Sequence, residues 1–60
     1  MDLEALKNSV FKLLCGEHDL EVVEASEMIE QSVAEHPEFW NENADPKELA
    51  NSLASGELDD

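Results

Sequence analysis

Leu3, Leu6, Val10, Leu13 and Leu14 fall within one arc when the chain is wound at about 100° per residue, with Phe11 at the edge of that arc. A stripe with this period belongs to an amphipathic α-helix, and no stretch of the chain shows the alternation of a half-buried strand. Helix punctuation brackets it. Asp2 stands where its carboxylate can accept from first-turn amides, and Gly16 where a left-handed residue can close the last turn. A helix over residues 2–15 is therefore expected. Its stripe is wide for one helix, so it should meet more than one neighbour.

The same reading places a second helix over residues 19–36, capped by Asp19 and stopped before Pro37. Val22, Ala25, Ile29 and Val33 share one face, with Ser26 and His36 beside them. A connector holding Phe39 and Trp40 follows, and Pro37 suits the first position of a helical turn there. Asp45-Pro46-Lys47-Glu48 then combines an Asp cap, Pro at the first position and Glu at the third. It opens a short helix over residues 46–55, striped by Leu49 and Leu53 and ended by Gly56. The expected architecture is all-α: one small three-helix domain over residues 1–56, with 57–60 a frayed acidic tail.

Sixty residues make at most one small domain, whose core rarely leaves a net stability above roughly 3–5 kcal/mol. Cys15 is the single cysteine, so no disulfide can form within the chain. The apolar positions of the first two helices, Leu3, Leu6, Val10, Leu13, Leu14, Val22, Ile29 and Val33, exceed what three short helices need to cover one another. A homodimer with a core shared across a two-fold axis is the resulting expectation.

Sixteen Asp/Glu against three Lys give a net charge of −13. Phosphates of nucleic acids or of an anionic membrane would be repelled, so neither is an expected partner. A helix-turn-helix reader has a suitable helix count but needs a basic recognition helix, which no segment offers. No apolar run approaches the ~20 residues of a membrane span. Met1-Asp2-Leu3-Glu4 lacks a signal peptide's basic start, and a cytoplasmic protein is expected.

From Glu17 to Glu38 there are eight acidic residues and no Lys or Arg. Glu21, Glu24, Glu27, Glu30 and Glu35 occupy much of the second helix away from its apolar face. Carboxylates at such spacings lie about 5–6 Å apart and destabilise a helix by a few tenths of a kcal/mol per pair. A surface that carries this cost points to a basic partner. The expected function is a small non-enzymatic regulator or adaptor that binds a basic protein surface and blocks that surface's usual ligand. Phe39 or Trp40 would serve as its apolar anchor. If the blocked surface normally holds nucleic-acid phosphates, the chain acts as a DNA mimic, or antagonist of a DNA-binding protein.

Other readings compete. A self-associating helical module would use the acidity for solubility alone. A salt-adapted proteome would also be acidic, but such chains keep high charge everywhere, whereas the first helix here is nearly neutral. The two aromatics, too, close the core of many proteins this small.

Cys15 and His18 have a chelating spacing that His36 could join, yet four ligands for a closed zinc site are not evident. The chain lacks the Asp-x-Asp-x-Asp-Gly loop of a calcium site. Cys15 and His18 flank a helix end without oxyanion donors, and Gly16 and Gly56 are isolated rather than part of a phosphate-binding loop. No enzymatic activity, metal or cofactor is expected.

Overall fold

A computed structural model describes residues 2–56 of the chain. α1 spans Leu3–Gly16, α2 spans Val22–Glu35, a 3-10 turn covers Pro37–Phe39, and α3 spans Pro46–Ser55, with no strand among the described residues. The expected acidic tail, 57–60, lies outside them.

Two of the three helix starts follow the punctuation. Asp2 Oδ1 accepts from the Ala5 amide at 2.9 Å, and Asp45 Oδ1 accepts from the Lys47 amide at 3.0 Å with Pro46 leading α3. Gly56 ends α3 in the left-handed conformation, at φ 79°.

The turn between α1 and α2 corrects the expected boundaries. Gly16 stays inside α1, and the left-handed residue is Asp19, at φ 58°. Asp19 therefore reverses the chain instead of capping α2, a role its short polar side chain tolerates better than most. The Leu20 amide then returns to the Leu14 carbonyl at 3.0 Å, and Leu20 folds onto the core. α2 consequently begins three residues later than expected, behind Glu21, whose side chain makes no capping bond.

α1 is the central element. It packs most extensively on α3 and next on α2, while α2 and α3 scarcely meet. Leu6, Val10 and Leu14 of α1 are fully buried, and Ala25 and Ile29 of α2 and Leu49, Ala50 and Leu53 of α3 complete most of the core. Ala25 and Ala50 are small enough to let neighbouring backbones approach closely.

Of the eight positions expected to build a dimeric core, Leu6, Val10, Leu14 and Ile29 are buried within one chain, and Leu13 and Val33 pack half-buried against them. Leu3 and Val22 are exposed. They occupy the first positions of α1 and α2, where the opposing helices no longer cover them. The apolar surplus behind a two-fold core is thus largely taken up by α1 lying between two neighbours of its own chain. No helix among the described residues is long and apolar enough to cross a membrane.

Candidate acidic docking surface

Packing Ala25, Ile29 and Ser32 inward leaves the glutamates of α2 on its outer side. Glu21, Glu24, Glu27, Glu30 and Glu35 are all exposed. They are not equivalent. Glu30 Oε2 lies 3.4 Å from Lys7 Nζ, so one glutamate bridges to α1. Glu35 Oε2 accepts from Gln31 Nε2 at 3.0 Å, one turn earlier on α2. Glu21, Glu24 and Glu27 have no side-chain hydrogen bond or ion pair among the described residues. No basic residue stands in the last turn of α2, where one would complement the helix dipole.

The two aromatics separate. Trp40 is turned into the core, 6% exposed, and its indole N–H donates to Ser32 Oγ at 2.9 Å. It fastens the connector to α2 and takes the core-closing role that the sequence left open beside that of an anchor, so of the two aromatics Phe39 alone is exposed. The physical reason is size: the largest side chain of a short chain is the most effective one for closing its core. Phe39, one position earlier, remains 41% exposed, with its ring centroid 5.5 Å from that of His36 in a tilted arrangement. His36 Nδ1 also lies 3.7 Å from Glu38 Oε2.

Phe39 belongs to a different acidic setting from the α2 glutamates. It lines a shallow groove of about 510 Å³ between the connector and α3, together with Ala44 and Leu49 and the carboxylates of Glu38, Asp45 and Glu48. An apolar strip is thus bordered by three acids. The sequence reading missed Glu38, Asp45 and Glu48 as members of a surface. Asp45 and Glu48 were legible only as helix-opening residues, because nothing in the sequence shows the connector folding over the start of α3.

Cys15 and His18 are half-buried. His18 lines a separate recess against Asn51 and Ser55 of α3. Among the described residues no three His, Cys, Asp or Glu side chains converge to hold a metal ion. The chain matches no family model, no curated protein and no solved structure.

Proposed function

We propose that this chain is a small, non-enzymatic regulator or adaptor of the cytoplasm that binds a basic protein surface and occludes it. One observation supports the reading above others: among the described residues the outward carboxylates of α2 meet a single cation, Lys7, and Glu24 and Glu27 stay exposed and uncompensated. Like charges three positions apart cost helix stability, and a basic partner would turn that repulsion into attraction. Phe39, exposed in the connector that follows α2, would be the chain's apolar anchor. A partner that normally holds nucleic-acid phosphates makes the chain a nucleic-acid mimic.

The test begins with the tagged chain in nuclease-treated lysate of its source, eluted in salt steps, with the bound protein identified and purified. The purified partner is then titrated against the parent and against the Glu24→Gln/Glu27→Gln variant. A basic partner whose affinity falls in the variant and with added salt supports occlusion. Equal affinity for both chains removes α2 as the binding face.

Self-association is the second reading. Val22 and Val23 favour it, because they stand exposed side by side at the start of α2. Light scattering of the parent and of Val23→Glu tests it directly, since Val23 lies outside the core. A mass of one chain in the parent ends this reading. Val10→Asp would be uninformative here, as Val10 is fully buried within its own chain.

A further inference from the structure

We propose that the groove between the connector and α3 receives an arginine side chain from a basic protein segment. The inference rests on the basic-partner reading and adds to it a place and a residue type. The lining selects its occupant by charge and shape. Phe39, Ala44 and Leu49 offer apolar contact, while Glu38, Asp45 and Glu48 line the same groove. An anion would be repelled, and a wholly apolar side chain would leave three acids beside it partly desolvated. A cation on an apolar stem satisfies both parts of the lining.

The groove wall is also set before anything binds. Asn41 Nδ2 donates to the Glu38 carbonyl at 2.7 Å, and Asn41 Oδ1 accepts from the Asn43 amide at 2.8 Å. Asp45 is engaged as the cap of α3, and Glu38 faces His36. Glu48 has no hydrogen bond or ion pair among the described residues, so it is the carboxylate most available to a ligand. Lys47, the one cation of this segment, is not part of the lining.

Guanidinium suits this lining better than ammonium. Its flat face stacks on an aromatic ring while its edge donates to a carboxylate, and it sheds water more readily. The outer face of α2 would steer a basic segment electrostatically, and the groove would fix its register.

The isotopically labelled full chain is titrated at low salt with a blocked nonapeptide of alternating Arg and Ala, then with its Lys counterpart. The expected result is that both peptides shift α2 amides near Glu24 and Glu27. The Arg peptide alone should saturably shift Phe39, Asn43, Ala44 and Leu49, and bind about fivefold tighter. Phe39→Ser and Glu48→Gln, each confirmed folded by circular dichroism, should both abolish the preference for Arg. Shifts confined to α2 and equal for the two peptides overturn the groove proposal while leaving the basic-partner reading intact. No saturable shift anywhere overturns both.

Discussion

Replacing Ser32 by Ala isolates the contact that orients the connector. The Ser32 hydroxyl accepts the Trp40 indole N–H at 2.9 Å, and both residues are buried, at 4% and 6% exposure. Ala leaves that N–H without an acceptor in a place water reaches poorly, at a cost of ~1–3 kcal/mol. Its better helix propensity within α2 returns roughly 0.5 kcal/mol. The net loss of about 0.5–2.5 kcal/mol is a large share of the roughly 3–5 kcal/mol that such a domain can hold at most. At ~4–8 °C per kcal/mol for a domain of this size, Tm should fall by about 2–20 °C. Melts followed by circular dichroism and by the fluorescence of Trp40 measure it. A cycle with Trp40→Phe gives the coupling: once the donor is gone, removing the hydroxyl should cost about 1 kcal/mol less than it does alone. A Tm at or above the parent's, or additive losses, would refute the claim that this bond positions the connector.

Asp19→Gly should raise Tm by a few degrees, because Asp19 sits at φ 58°; a small fall in the same melt would restore its role as a helix cap. Asp45→Ala should lower stability in urea titration by about 1 kcal/mol, with Asp45→Ser close to the parent. Glu27→Gln removes repulsion toward Glu24 and Glu30, worth ~0.2–0.5 kcal/mol for each pair, so Tm should rise, and by more at low salt than at high.

The helices were legible where side-chain chemistry and periodicity agreed. Asp2, Asp45-Pro46 and Gly56 act locally, and their effects on the backbone do not depend on tertiary packing. The α1–α2 turn was misread because Gly16 and Asp19 are each compatible with two roles, and the choice between them was made by packing. Leu20 reaches the core only if the chain reverses at residue 19. Phe39 and Trp40 pose the same problem in sharper form. They are adjacent, aromatic and equally plausible as anchors, and the 3-10 turn after Pro37 sends one inward and leaves the other out. Ser32, a small polar residue on the packing face of α2, carries a hydroxyl that can donate or accept, so the sequence alone does not say that an indole N–H docks there. The glutamates of α2 needed only the helical period to be placed, but the Lys7–Glu30 bridge required knowing which faces of α1 and α2 meet.

If the chain binds a basic partner, its excess charge gives it two salt dependences of opposite sign. Screening weakens the repulsion among carboxylates, so added salt should stabilise the free domain. The same screening weakens attraction between those carboxylates and a Lys/Arg surface, so added salt should reduce affinity for a basic partner. Acidity that served solubility alone would produce the first effect without the second. A partner that binds the native state adds stability as its concentration exceeds its dissociation constant, and a domain of roughly 3–5 kcal/mol registers that addition as a large shift in melting. Melting the chain with and without its partner across a salt series therefore separates the two uses of the charge. Partner stabilisation that shrinks as the free chain grows more stable assigns the charge to binding, its loss in Glu24→Gln/Glu27→Gln places that binding on α2, and stabilisation independent of salt assigns the carboxylates to solvent.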